Sequence, residues 1–165
     1  MIPLEDEHLG MAFPTREEMA ALRGAGISQA TLLDHPVKAV DTTEGRRAFV
    51  LAVRDHFGEV VDLLAWLVQE PATFWTVERR AVLLGESALD AFSLEPGVSV
   101  RRNPLAWLAA GADGVVILDE VRAWRRLADG PPLITEDIAH AREVRRLTTP
   151  PASTVFIRSS DMVSA

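Results

Sequence analysis

The sequence predicts an α/β (or α+β) fold: N-terminal helices, a β-meander, then C-terminal βαβ units on a mixed sheet. Three observations predict it. Capped helical segments lie before residue 36, three apolar runs separated by turn residues fill 37–68, and short strands alternate with helices from residue 98 onward.

The first segment is a small helical lead-in, residues 1–36. Thr15 precedes Arg16-Glu17-Glu18, so its hydroxyl and the Glu18 carboxylate form a capping box, and Met19 and Leu22 supply the apolar side. Gly24-Ala25-Gly26 ends that helix, and Ser28 caps a shorter one over Gln29–Leu33, stopped by Asp34-His35-Pro36.

From Val37 the period changes. Val37–Thr42 and Ala48–Val53 read as a hairpin across Thr43-Glu44-Gly45, and Asp55-His56-Phe57-Gly58 as the next turn. Val60–Val68 is a nearly continuous apolar run that suits a central strand or a buried helix. Its place as the third run of a meander, ended by Pro71, selects the strand.

Phe74–Gly85 is expected to be helical, with Trp75 turned inward and Gly85 as terminator, and a second short helix is expected over Ser87–Phe92. Glu95-Pro96-Gly97 is a turn and Val98–Val100 a strand. Asn103 with Pro104 behind it then marks a helix start over Pro104–Ala110. The remainder alternates: strand Val115–Leu118, helix Glu120–Ala128, strand Leu133–Ile134, helix Glu136–Leu147 capped by Thr135, strand Thr154–Arg158. Strands spaced by helices of this length form parallel crossovers on one sheet. Residues 159–165 read as a loose tail, and the absence of a long Pro/Gly/Ser linker favours a single domain over 1–165.

Composition narrows the function classes. The 165 residues are 48% hydrophobic and 25% charged, as in an ordinary globular chain. There is no cysteine, which excludes a disulfide framework, a thiolate metal site and a thiol nucleophile. No secretory signal or membrane-spanning run is visible, so a cytoplasmic location without membrane partners is expected. A net charge of −7 argues against nucleic acid as the main partner, because phosphate binding needs a basic surface.

Candidate chemistry is sparse. His8, His35, His56 and His140 do not occur at metal-ligand spacing. His140 with Glu136 resembles a base and its orienting carboxylate, but a helix-surface pair is the ordinary explanation. No Gly-x-Ser-x-Gly elbow occurs, and Gly111-Ala112-Asp113-Gly114 precedes a strand where a phosphate loop would follow one. No catalytic or cofactor-binding residue is assigned. Trp66, Trp75, Trp107 and Trp124 are expected to anchor the core, and the arginine pairs 79–80, 101–102, 125–126 and 145–146 to cover solvated faces. Arg122 and Arg125 beside Trp124 would suit an interface.

Two resemblances bear on function. Trp66, Trp75, Ala81-Val82-Leu83-Leu84-Gly85-Glu86 and Asn103-Pro104-Leu105-Ala106-Trp107-Leu108 resemble uncharacterised proteins of phages and prophages in high-GC proteobacteria, a likeness that implies no activity. The stretch from Val82 to Ile157 resembles the order of a Toprim domain, the acidic metal-binding module of primases and topoisomerases. That resemblance places Glu86 at the family's glutamate and Asp119 at the end of its first acidic strand. Val121 stands where a second carboxylate is needed, and Glu120, Glu136 and Asp137 do not restore the spacing.

Three functions therefore compete. The first is a non-enzymatic protein that binds a protein partner or itself. The second is a divergent Mg²⁺-dependent nucleic-acid enzyme with Glu86, Asp119, Glu136 and Asp137 as ligands, distinguished by carboxylates that converge. The third is a small-molecule sensor, distinguished by a concave cavity lined by tryptophan.

Overall fold

The computed structural model describes residues 3–90, 97–128 and 130–149. Three helices open the chain: α1 (Leu4–Gly10), α2 (Arg16–Gly24) and α3 (Gln29–Asp34). The Thr15–Glu18 capping box is formed, and Ser28 caps α3 through the Thr31 N–H. The expected strand Thr154–Arg158 and the tail 159–165 lie outside the described residues.

The meander follows as β1 (Lys38–Asp41), β2 (Arg47–Arg54), β3 (Val60–Leu67) and β4 (Glu70–Thr76), a four-stranded antiparallel sheet in that order. Both faces are covered, which is why Val60–Val68 shows no clean alternation. Phe49, Leu51, Val53, Leu64 and Trp66 point to a core shared with Leu22 and Leu32 of the N-terminal helices, while Val50, Leu63 and Ala65 pack with Leu4 and Met11 around α1.

A buried lysine fastens α1 to that second face. Lys38 is 2% exposed, its Nζ donates to the Leu9 and Met11 carbonyls at 3.2 Å each, and it lies 3.6 Å from the Phe13 ring centre. Beside it His8 is buried with Nε2 unpartnered, and burial, then Lys38 and Arg54, hold its pKa below the usual 6.5. The unfolded chain therefore takes up this proton first as pH falls, and stability is lost below about pH 6.5. We expect the unfolding midpoint in urea to be level above that pH and to drop below it, with part of the drop removed in His8→Leu. Half-buried His35, also lowered by burial, contributes in the same window.

The expected helix over Phe74–Gly85 does not form. Phe74, Trp75 and Thr76 pair with Trp66, Ala65 and Leu64 as the edge strand β4, and Trp75 is 39% exposed instead of turned inward. The following loop is held by a carboxylate. Asp62, 0% exposed, accepts the N–H groups of Leu63 (2.8 Å) and Glu78 (2.9 Å) on Oδ1, and of Arg80 (2.7 Å) and Ala81 (3.0 Å) on Oδ2. Those donors cannot also serve a helix, so a residue sixteen positions upstream overrides the local propensity of Thr76–Leu84.

The second sheet has order β5-β7-β6-β8: β5 (Leu83–Leu84), β6 (Val98–Arg101), β7 (Val115–Ile117) and β8 (Leu133–Ile134). A single 3₁₀ turn, Glu86–Leu89, follows β5 where a helix over Ser87–Phe92 was expected, and residues 91 and 92 lie outside the description. Strand β6 is parallel to both β7 and β8, whereas β5 is antiparallel to β7. The crossovers are α4 (Pro104–Ala109), between β6 and β7, and α5 (Glu120–Leu127), between β7 and β8; α6 (Ile138–Thr148) follows β8, and the three helices are capped by Asn103, Asp119 and Asp137. Asp137 replaces the expected Thr135 cap. Its carboxylate reaches the His140 N–H at 2.8 Å, so the helix begins two residues later than the pattern suggested. Taken together, the architecture is α+β, as expected. No helix among the described residues is long and apolar enough to cross a membrane.

Candidate functional site

Parallel β7, β6 and β8 all end on one edge of the second sheet, the edge at which open α/β sheets present ligand-binding groups. Arg101, Arg102 and Asn103 follow β6, Asp119 and Glu120 follow β7, and Glu136 and Asp137 follow β8. A cleft of about 400 Å³ opens there, between this edge, α6 and the edge strand β4 of the first sheet. Its polar lining comes from Arg101, Arg102, Asn103, Glu120, His140 and Glu143, and Phe74 contributes an apolar wall.

Arg102 dominates the electrostatics. Its guanidinium lies 2.7 Å from Asp137, 3.1 Å from Glu136 and 3.8 Å from Glu143. It thus occupies the position that a cation among those carboxylates would take. The His140 N–H, then Arg102, hold the Asp137 carboxyl below the usual range, and Asp137 in turn raises Arg102. His140 is 4% exposed with Nδ1 unpartnered. The expected surface pair with Glu136 is absent, because Glu136 precedes α6 and turns to Arg102.

Glu86 and Asp119 lie far apart. Leu83 pairs with Ile117 and Leu84 with Val116, while the Leu118 and Asp119 N–H groups donate to the Val82 carbonyl. The antiparallel ladder therefore sends the chain toward Glu86 at one end and toward Asp119 at the other, roughly 15 Å apart along the strands. Each carboxylate has its own arginine. Glu86 pairs with Arg126 near the end of α5, and Asp119 caps α5 and binds Arg122 Nε at 2.6 Å. Burial raises the Asp119 carboxyl, but the bonds from Arg122 outweigh it and hold it below its ordinary value. Among the described residues no group of three or more His, Asp or Glu is placed to hold a metal ion.

The residues proposed for an interface divide. Arg122 is a strut: besides Asp119 it donates to the Arg79 (2.7 Å), Arg80 (3.3 Å) and Ala81 (3.5 Å) carbonyls, gripping from outside the loop whose N–H groups Asp62 holds from inside. Trp124 is half-buried and Arg125 exposed, with the guanidinium 5.4 Å from the indole centre. Of the tryptophans, Trp66 and Trp107 are core residues.

Sequence reading missed Asp62, Lys38 and the clustering around Arg102. Only the isolation of Asp62 within an apolar strand, and of Lys38 as the chain's single lysine, signals them.

The chain is similar to the crystal structure of the primase fragment of the bacteriophage T7 primase-helicase protein. The TM-score is 0.51 at 17% identity, over 87% of this chain and 67% of that one. At that identity the likeness is one of fold. No family model matches the chain, and no curated protein matches it.

Proposed function

We propose that this chain is a non-enzymatic intracellular protein of phage or prophage origin, on a primase-like fold, that binds a protein partner or a second copy of itself. The observation that carries the reading is the fate of the four carboxylates. Glu86 and Asp119 stand at opposite ends of the β5–β7 ladder, and Glu86, Asp119, Glu136 and Asp137 all pair with guanidinium groups. Convergent oxygen ligands, which a catalytic Mg²⁺ requires, are replaced by internal ion pairs.

The outer face of α5 supports a docking role. Val121 is 80% exposed, and Trp124 and Arg125 follow at the helical spacing that puts them beside it. Alongside runs α6, joined through Arg146 and Glu120, with Ile138 74% exposed at its start. The test compares wild type with Val121→Glu by sedimentation equilibrium and by capture from host extract. A dimer or captured protein weakened about tenfold or more in the variant is expected. A wild-type monomer whose captured proteins are unchanged in the variant would sink the proposal.

The fold likeness to a primase fragment favours a second reading, the Mg²⁺-dependent nucleic-acid enzyme with Glu86, Asp119, Glu136 and Asp137 as ligands. It also agrees with the Toprim resemblance of residues 82–157. Titration calorimetry with Mn²⁺ separates the two readings. No saturable heat supports the binding protein; binding that disappears in Glu86→Ala supports the enzyme.

A further inference from the structure

The opposite edge of the second sheet carries a different cavity, of about 560 Å³, within the range of small-molecule sites. It lies between the β2–β3 turn, α3, the N-terminus of β7 and the turn after β5. Its floor is Trp107, Leu84 and His35, with His35 edge-to-face on Trp107 at 5.0 Å between ring centres. Gly85 and Gly114 let the floor close up: a Cβ on Gly85 would meet the Gly114 carbonyl at 2.4 Å and Trp107 Nε1 at 2.8 Å.

The mouth is aromatic as well. Phe57, at the turn tip, is 79% exposed, and its ring centre lies 3.8 Å from that of His56. The charged groups around it are already committed. Arg54 donates to the Gly58 carbonyl at 2.7 Å and to Glu5 at 2.9 Å, Asp55 Oδ1 accepts the Phe57 and Glu59 N–H groups, and Asp113 pairs with Arg101. With Asp55 and Asp113 facing a single arginine, the lining disfavours an anion. The His35 ring, by contrast, takes part in no hydrogen bond among the described residues, and burial favours its neutral form, which offers one donor and one acceptor.

We propose that this cavity binds an uncharged, planar heteroaromatic molecule of purine size, stacked against Phe57 and His56 and hydrogen-bonded by His35. Aromatic faces on the rim supply stacking energy that any flat ring can use, and the imidazole selects rings with a polar edge. The site is independent of the docking face on α5 and α6.

Adenosine is the probe, titrated by calorimetry against wild type, Phe57→Ala, Ala88→Phe and Trp75→Ala. Phe57 is exposed, so its replacement spares the core, whereas Ala88 lines the cavity and also packs against the cluster of Val98, Val100 and Val115, so the thermal unfolding of Ala88→Phe is measured beside its binding. Saturable binding is expected in wild type. It should weaken about tenfold in Phe57→Ala, vanish in Ala88→Phe, and persist in Trp75→Ala, whose indole is exposed elsewhere. Adenosine monophosphate should bind no more tightly than adenosine. No binding at millimolar adenosine, equal binding in all four proteins, or tighter binding of the phosphate would each overturn the assignment.

Discussion

Replacing Asp62 with Ala is expected to destabilise the protein by about 3–5 kcal/mol, and Asp62→Asn by nearly as much. The carboxylate is fully buried and satisfies the N–H groups of Leu63, Glu78, Arg80 and Ala81. Alanine leaves these donors without their acceptor, at about 1–3 kcal/mol for each that water cannot reach. Asparagine keeps one oxygen but turns an amide donor toward the Arg80 and Ala81 donors, so two attractions become repulsions. The effect should spread along the loop that links the two sheets, because Arg122 grips its carbonyls and loses its template once the loop is released. Urea unfolding monitored by tryptophan fluorescence measures the change. At this chain length the melting temperature should fall by roughly 10 °C. A loss below about 1 kcal/mol, no more than that of exposed Asp113→Asn, would show that the loop is held by something else.

Gly114→Ala is expected to cost more than 3 kcal/mol, and Gly111→Ala only about 1 kcal/mol. Both glycines have left-handed backbone, φ 85° and 75°, so the conformational penalty is shared. Their surroundings differ. A Cβ on Gly114 would lie 2.1 Å from the Ser99 carbonyl oxygen, while one on Gly111 would meet nothing within 4 Å. Ser99 belongs to β6, the parallel neighbour of β7, so relief requires the central strands of the second sheet to move apart. The same shift would disturb the Gly114 carbonyl that accepts the Trp107 indole N–H at 2.8 Å, and with it the floor of the heteroaromatic cavity. Comparing the two variants isolates the close approach from the backbone strain. Equal losses would mean that β6 and β7 accommodate a methyl group between them.

These substitutions mark the boundary between local and long-range information. Local signals determined much of the fold. Thr15 with Glu18, Ser28, and Asn103 with Pro104 start their helices where the sequence says, because a cap is a contact between residues three apart. The meander was legible from turn residues, although Val60–Val68 lacked a period because both faces of β3 are buried. Tertiary structure decided the rest. Phe74–Leu84 has helix-compatible residues, but the β3 edge and the Asp62 carboxylate, both distant in sequence, take its backbone groups. Asp137 displaced Thr135 as a cap while also binding Arg102, thirty-five residues away. For function, the sequence by itself determined the absence of thiol chemistry and the acidic charge. That Glu86 and Asp119 part company depends on the antiparallel direction of β5, and that Trp107 and His35 floor a cavity depends on how two sheets meet. Strand direction and sheet packing are set by the burial of surfaces far apart along the chain, and one-dimensional spacing carries no record of either.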